Sequence, residues 1–309
     1  MDRVSTSGIY NALVGNLMTA QGNQITAANQ VSSQKVATDL KGFGAQSETL
    51  TAMQTVQSQT QSFLDQSNVT AAKLASQDSA LGEVATASST AGTAISSALA
   101  SGSGTALMQA VGTAFQNAVS GLNTTYNGQY LFAGGQVNTP PVSATQLTDL
   151  SAPATVAGVF TNDSYVASTQ LNQNTTIQTG FLASQTGSSL FNAFQSIQSY
   201  VDTNGPFSSP LTTAQTTFLQ GALSSFQSAS TDLTATQAQN GLLQSQVTNA
   251  QTDLNSQSTT MQGLIGNITD ANLAQADTNL QQAQLAVQAS AQVIASLKAS
   301  SLVTLLPVS

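Results

Sequence analysis

The C-terminal segment 273–306 carries a heptad repeat, and this pattern strongly limits the folds open to the chain. Two sets of positions recur every seven residues: Leu273, Leu280, Val287 and Ile294, and three places later Ala276, Ala283, Ser290 and Leu297. Both seam positions of a heptad are filled over four repeats, which predicts a long helix with an adhesive face. Such a face needs a partner, either elsewhere in the chain or on another molecule.

A similar apolar stripe runs along the N-terminal segment 1–31. We predict that this segment forms an amphipathic helix, that it begins at a Ser or Thr cap near residue 6, and that it pairs with the C-terminal helix. Three glycines, Gly8, Gly15 and Gly22, fall in or beside it. Because each internal glycine costs about 1 kcal/mol of helix stability relative to alanine, this helix is expected to be weak alone.

The terminal pair is predicted to act as an assembly surface. Small residues occupy one edge of the C-terminal seam, at Ala276, Ala283 and Ser290, so that helices of several molecules can approach closely. The predicted interface residues are Ile9, Leu13, Leu17, Ala20, Ala28, Val31, Leu273, Leu280, Val287, Ile294, Leu297, Leu302, Leu305 and Leu306.

Two longer seams lie further inside the sequence, over residues 50–99 and 219–268, with apolar residues spaced alternately by three and four. They predict two long helices that bury their stripes against each other. Polar residues such as Ser67 and Asn240 interrupt the seams in register. A polar residue at a seam position fixes the alignment of two helices, although a merely tolerated asparagine is an equal alternative here.

The character of the sequence changes between the two halves. A glycine-bounded run at 128–135 is followed by Pro140 and Pro141, and short β-branched or aromatic runs follow at 157–160, 165–167 and 175–177. We therefore predict a small β-rich domain inserted into a helical scaffold.

The order of these elements is nearly mirror-symmetric about the insertion. The predicted fold class is mainly α: a long antiparallel, coiled-coil-like helical rod formed by the N- and C-terminal halves, with a small β-rich inserted domain at its tip. The predicted division is a terminal helical assembly domain (1–43 with 265–309), a helical rod domain (44–135 with 183–264) and the inserted domain (136–182).

Charged residues make up only 6% of the chain, against about 25% in average soluble proteins. A polar but nearly uncharged surface gives up the repulsion that keeps molecules apart, which suits a subunit that packs against copies of itself. The alternative explanation is a general Gln- and Thr-rich composition of secreted proteins in the source organism.

Several classes of function are excluded by composition. The net charge is −8 and the five basic residues are scattered, whereas nucleic-acid binding needs a clustered basic surface. Absence of Cys and His removes disulfides, thiol catalysis and the usual zinc sites. No apolar run approaches the roughly 20 residues of a membrane span, so membrane insertion is not expected. If the protein is exported, we expect a route without a cleaved signal peptide.

A catalytic site is not predicted. The acidic residues fall singly along the predicted helices, and only Asp149 and Asp163 in the insertion could converge as a carboxylate pair. Loop aspartates more commonly serve turns. We therefore expect no catalytic, cofactor or metal site, and no cofactor.

Several short motifs carry a resemblance to a known family. They are Arg3-Val-Ser-Thr-Ser7, Gln30-Val-Ser-Ser33, the run Tyr130, Leu131, Phe132, Ala133 and Gly134 ahead of the two prolines, Asp270-Ala-Asn-Leu273, Leu280-Gln-Gln-Ala-Gln-Leu285, Gln288-Ala-Ser290, and Ser301-Leu302 with Leu305-Leu306. In these residues the chain resembles the flagellin superfamily of bacterial flagella, and within it the hook-associated protein 3 branch. The Tyr130–Gly134 run favours this branch over filament flagellin. One departure is Gln34, which stands where the family usually has glycine.

The resemblance implies a structural subunit of the extracellular bacterial flagellum at the hook–filament junction, exported unfolded through the type III channel of that organelle. Its implied partners are further copies of itself, the neighbouring hook-junction protein, flagellin and an export chaperone. Filament flagellin is the first alternative. A less favoured one is a glycan- or host-binding module carried by the insertion, whose aromatic residues are few.

Overall fold

The structure is a computed structural model that describes residues 2–151 and 155–303. Six α-helices dominate it: α1 Asp2–Ser33, α2 Ser47–Ser101, α3 Leu107–Leu122, α4 Ala183–Asn204, α5 Thr213–Thr269 and α6 Leu273–Val303. The β-strands are β1 Thr125–Tyr126, β2 Gln129–Tyr130, β3 Ser168–Asn172 and β4 Thr175–Gln178, paired as two antiparallel hairpins, and three 3₁₀ helices cover Leu40–Gln46, Leu147–Leu150 and Val156–Val159. The mainly α fold class with a small β-containing region is confirmed. Helix α1 begins by Asp2, ahead of the predicted cap.

The chain forms two compact units, and each is described by itself. The first unit contains the chain up to Gln59 together with the part from Gln257 onward, and the second unit is Thr60–Ser256. The three-part domain division given above stays a prediction.

In the first unit, α1 and α6 lie side by side and antiparallel. Residues 34–36 and 269–271 join the pair at one end, where Val36 N donates to Thr269 O at 2.8 Å and Ala271 N donates to Gln34 O at 2.9 Å. Further along, Ala27 of α1 and Ala283 of α6 line the same groove. The backbone bridge therefore fixes the register in which the terminal helices meet.

Gln34 adopts the conformation that glycine would adopt most easily. It follows the last residue of α1 with φ +57°, in the left-handed region that costs a non-glycine residue about 1–2 kcal/mol. Its side chain is exposed. The chain therefore makes a left-handed turn at this position with glutamine in place of glycine.

We expect Gln34→Gly to stabilise the first unit by about 0.5–1 kcal/mol, because relief of the left-handed strain exceeds the extra chain entropy of glycine. Urea unfolding followed by circular dichroism measures the change. Ser33→Gly, inside the last turn of α1, is the matched control and is expected to destabilise by up to about 1 kcal/mol. Destabilisation by Gln34→Gly would contradict the assignment of strain.

In the second unit, α2 and α5 run antiparallel along their seams. Successive hydrogen bonds between the two helices join higher residue numbers of α2 to lower residue numbers of α5. Asn68 accepts from Gln251, Leu74 O accepts from Asn240, and Ser88 donates to Phe226 O. Ser67 and Asn240, the polar residues predicted in the seams, are fully buried.

Helices α3 and α4 complete the second unit around a cluster of phenylalanines. Phe115 of α3 meets Phe191 and Phe194 of α4 edge-on at centroid distances of 5.3 and 5.4 Å, and Phe194 meets Phe226 of α5 at 5.0 Å. All four are essentially inaccessible to solvent. Edge-to-face pairs add to the stabilisation that the burial of apolar area provides, so this cluster links α3, α4 and α5 in one core.

Of the three runs in the insertion that predict strands, only the last lies in a strand. The run 157–160 falls in the 3₁₀ helix Val156–Val159 and the residue after it, and 165–167 precedes β3, whereas 175–177 lies in β4 as expected. Leu150, Val156 and Val159 are buried in the same core as α3 and α4. Val156 and Val159 are both buried and lie three residues apart, which favours a 3₁₀ turn over a strand, because a strand alternates its faces.

Candidate assembly interface

Only alanines are fully buried between the described parts of α1 and α6. Ala20, Ala27, Ala276 and Ala283 are each less than a tenth exposed. Ala20, Ala276 and Ala283 lie where the stripe and heptad place them, but Ala27 takes the buried position next to the predicted Ala28, which is half-buried. Small side chains let the two helix backbones approach closely but bury little apolar area.

The larger seam residues are only partly covered by the partner helix. Leu13, Leu17 and Val31 of α1 are half-buried, as are four residues of α6: Leu280, Val287, Ile294 and Leu297. The structure thus brings the two predicted stripes into contact, but their larger side chains keep part of their surface exposed to solvent. Leu305, Leu306 and the side chain of Leu302 lie outside the described residues.

Several large apolar residues of the terminal helices remain exposed. Ile9 is 52% exposed and Leu273 is 44% exposed, although both belong to the predicted stripes. Sequence reasoning missed Tyr10, Met18, Ile25, Leu285 and Val293, which are also exposed. Met18 and Ile25 are seven residues apart on the face of α1 turned away from α6, and that spacing was a detectable signal.

Charge is nearly absent from the terminal helices. No charged residue occurs between Val4 and Gln34, and Asp277 and Lys298 are the charged residues within Leu273–Val303. Burying these faces against other molecules would therefore leave few charges desolvated. The terminal helices therefore combine exposed apolar side chains with a surface whose burial has a low desolvation free energy.

One ion pair fastens the bridge below the terminal helices. Lys35 Nζ lies 2.6 Å from Asp270 Oδ1 and also donates to Thr269 Oγ1 at 3.3 Å. The hydrogen bond from Lys35, a second one from Thr269 and the charge of Lys35 lower the pKa of Asp270 from its ordinary value. Both side chains are exposed, so the pair directs the register more than it stabilises the fold.

We expect acidification to loosen this bridge. Because the pKa of Asp270 is lowered in the folded chain, its contribution is present above the unfolded value near pH 4 and is lost as pH falls through the lower folded value. Hydrogen exchange of the Val36 and Ala271 amides, followed from about pH 6 to pH 3 and corrected for intrinsic rates, measures the loosening. Asp270→Asn should exchange faster at pH 6 and show a smaller additional change. An identical pH dependence in both proteins would contradict the assignment.

The Tyr130–Gly134 motif belongs to the second unit and shapes a turn there. Leu131, Phe132 and Ala133 are buried, and Phe132 O accepts a hydrogen bond from Ala183 N at the start of α4. Gly134 has φ +68°, a conformation that favours glycine. The motif therefore leads the chain from β2 into the core beside α4.

Asp163 holds the other side of this turn. Its Oδ1 accepts hydrogen bonds from Gly135 N at 2.8 Å and from Tyr165 N at 3.0 Å, and these bonds lower its pKa. Asp149 similarly accepts from Thr145 N and Gln146 N, which lowers its pKa. The two carboxylates considered as a catalytic pair each organise their own turn.

We expect Gly134→Ala to destabilise the second unit by about 2–4 kcal/mol. An added Cβ would overlap Asp163 Oδ1 and lie 3.1 Å from Tyr165 O, and the positive φ would add strain. Urea unfolding followed by circular dichroism provides the value. Gly112→Ala is the control, because a Cβ there meets nothing within 4 Å and the site is helical; a neutral or stabilising effect is expected. Equal effects of the two changes would be contrary to this role of Gly134.

Other chemistry finds little support in the described residues. Among residues 2–151 and 155–303, no group of three or more acidic, His or Cys side chains is placed to hold a metal ion. The helices of the described chain include none long and apolar enough to cross a membrane. In the insertion, Phe181 is buried and Phe160 is half-buried, which leaves Tyr165 as the exposed ring of the three aromatic residues considered for sugar stacking.

Comparison with known proteins finds similarity in the C-terminal helices and in the fold. Residues 223–306 match the family model of the bacterial flagellin C-terminal helical region. No curated protein matches the sequence. The fold is similar to that of a chain named as a flagellar hook-associated protein from Vibrio parahaemolyticus, with a TM-score of 0.60 and 13% identity over 75% of this chain and 99% of that chain.

A second solved structure, FlgL of Bacillus cereus, gives a TM-score of 0.52 and 15% identity over 70% of this chain and 98% of that chain. At these identities the likeness concerns the fold. The family match confirms the resemblance to flagellins in the C-terminal helices, and the chain shares its fold with these two proteins.

Proposed function

We propose that this chain, with flagellin-type C-terminal helices and the fold of flagellar hook-associated proteins, is a structural subunit that joins hook to filament in the bacterial flagellum. It acts through assembly and carries no catalytic activity. Its place is outside the cell, at the junction, which it reaches by type III export. Its partners there are further copies of itself, the neighbouring hook-junction protein and flagellin, after release from an export chaperone.

One observation carries the proposal. The backbone bridge aligns the terminal helices α1 and α6, but their larger apolar side chains remain partly or largely exposed. Alanines form its buried contact, while Met18 and Ile25 are each more than three fifths exposed. Isolated helices are marginal in water, and most of their stability comes from packing an apolar face. The pair therefore gains most of its order when other molecules cover these faces.

The same feature accounts for assembly at the ends of the chain. The predicted interface residues Leu13, Leu17, Leu280, Val287 and Ile294 remain available for contacts beyond the chain, since the partner helix covers each of them only in part. An uncharged surface favours neighbours of the same kind, because a charged partner face would lose its hydration without finding counter-charges. Copies of this chain and related flagellar subunits meet that requirement.

Mixing experiments test the junction assignment against filament flagellin. Purified full-length protein is added to isolated hooks capped with the hook-side junction protein, to filament seeds, and to buffer alone, and the products are imaged by electron microscopy. A short, limited layer at the hook end that then accepts flagellin is expected. Growth of long filaments from the protein alone would overturn the junction assignment in favour of a filament subunit.

A further inference from the structure

A short stretch of the α2–α5 seam in the second unit is unusually polar. We define this polar segment as residues 64–78 of α2 and 240–254 of α5. Ser67, Gln77 and Asn240 are all fully buried in it. The Ser67 hydroxyl, Gln77 Oε1 and Asn240 Oδ1 have no hydrogen-bond partner within the described chain. Buried acceptors without partners favour any state in which water reaches them.

The β3–β4 hairpin, residues 168–178, covers this segment. Its inward residues Leu171 and Ile177 are buried against Leu74 of α2 and against Val247 and Ala250 of α5. These five residues form an apolar cluster separate from the main core. The hairpin thus supplies apolar cover that the two helices lack where their seam is polar.

A hydrogen bond ties the polar segment to the base of the hairpin. Gln77 Nε2 donates to Thr179 O, one residue after β4, at 3.2 Å. The amides of Thr179 and Gly180 both donate to Ala167 O, just before β3, at 2.8 and 3.0 Å. Gln77 is therefore bonded to the closed neck of the hairpin, and lifting the hairpin would expose the second unpaired atom of the same side chain.

The neighbouring part of the α2–α5 seam, at residues 84–98 and 219–233, packs against α3 and α4 instead of the hairpin. In this part, the buried Ser88 finds a partner in Phe226 O at 3.0 Å, and α3 and α4 pack there with their phenylalanine rings. Local stability follows the density of buried apolar contacts and of satisfied hydrogen bonds. The polar segment has hydrogen bonds across the seam, from Asn240 and Gln244 to Leu74 O and from Gln251 to Asn68. It has fewer buried apolar residues than its neighbour, however, and it contains the three buried atoms without a partner.

We infer that the β3–β4 hairpin is a detachable clasp that keeps the polar segment of the α2–α5 pair closed. When the clasp lifts, the two helices separate locally and water reaches Ser67, Gln77 and Asn240. The phenylalanine core stays intact during this opening. The clasp gives the second unit a built-in point of local flexibility, and this inference does not depend on the flagellar assignment.

Hydrogen exchange of the full-length chain, resolved by peptide mass spectrometry, tests the clasp. Ile177→Thr keeps a β-branched residue in β4 but removes the apolar contact. We expect exchange in 64–78 and 240–254 to accelerate about tenfold or more, because a hydroxyl replaces the two-carbon ethyl branch of Ile177 and each buried carbon contributes about 0.8 kcal/mol. Exchange in 84–98 and 219–233 should stay unchanged. Thr176→Ser, on the exposed side of β4, is the control and should leave both pairs of segments unchanged.

Uniform acceleration across all four segments would overturn the inference, because the hairpin would then be part of one cooperative core. No acceleration anywhere would overturn it as well. A second variant, Asn240→Leu, removes one unpaired buried acceptor. It also removes the hydrogen bond from Asn240 to Leu74 O, an oxygen that still accepts from Gln244 Nε2 at 3.3 Å. With this change, the acceleration caused by Ile177→Thr should fall well below tenfold, as expected for two coupled sites. An undiminished acceleration would show that polarity of the seam is irrelevant to the clasp.

Discussion

Removal of residues 273–309 is expected to abolish incorporation into hook–filament assemblies while the second unit remains folded. The deletion takes away α6, whose Ala276 and Ala283 form half of the buried contact with α1. Among the residues that the structure describes, none from this segment belongs to the core of the second unit. Incorporation is measured by sedimentation with capped hooks and electron microscopy, and folding by circular dichroism.

The helical circular dichroism signal should fall by the contribution of the deleted α6 and of α1, which loses its partner helix. The second unit should still unfold cooperatively in urea. Loss of the whole helical signal would instead make α6 an ordinary core helix. A truncated chain that still joins hooks would place the assembly surface elsewhere.

A point variant distinguishes the loss of α1–α6 packing from the loss of the whole C-terminal segment. Ala283→Leu adds bulk at a buried alanine of the α1–α6 contact, and overpacking of such a contact typically costs about 1–3 kcal/mol. We expect it to weaken incorporation strongly without changing the unfolding of the second unit. Ala274→Leu, exposed on the same helix, is the matched control. Equal incorporation of the two variants would contradict close helix approach as the basis of assembly.

The helical part of the fold could be predicted because its signals are local and repeated. The heptads of α6 located Ala276 and Ala283 in the buried contact, and the break in the α5 seam at Asn240 corresponds to a buried side chain bonded to Leu74 O. Met18 lies outside the predicted stripe of α1, where a single pair of apolar residues seven apart, Met18 and Ile25, gives only a short signal. A helix in an assembly carries two faces, and both have a seven-residue period.

The region between α3 and α4 resisted prediction because its contacts are not local. Asp163 bonds to Gly135, 28 residues earlier in the chain, and Ser151 bonds to Asp202 on α4. The run around Val156 has the composition of a strand but is folded by the core it packs against, and tertiary context outweighs β-propensity. The Tyr130–Gly134 motif was found by resemblance alone; its role in the turn required the position of Asp163.

Phe194→Ala is expected to lower the free energy of unfolding of the second unit by about 3–5 kcal/mol. Phe194 is completely buried and its ring touches three others, on α3, α4 and α5. Truncation would leave a cavity bounded by three helices, so collapse of any one of them could not fill it. Urea unfolding of the full-length chain, followed by circular dichroism, provides the measurement.

Tyr165→Ala is the matched control, since it also deletes an aromatic ring, but from a site that is 59% exposed; a change within about 0.5 kcal/mol is expected. A similar loss in both variants would mean that the phenylalanine cluster is not the centre of the second unit. Because α4 follows the Tyr130–Gly134 turn and Ala183 N bonds to Phe132 O, the cavity should also weaken that turn. Combining Phe194→Ala with Gly134→Ala should therefore cost less than the two separate losses added together, as coupled sites in one core do.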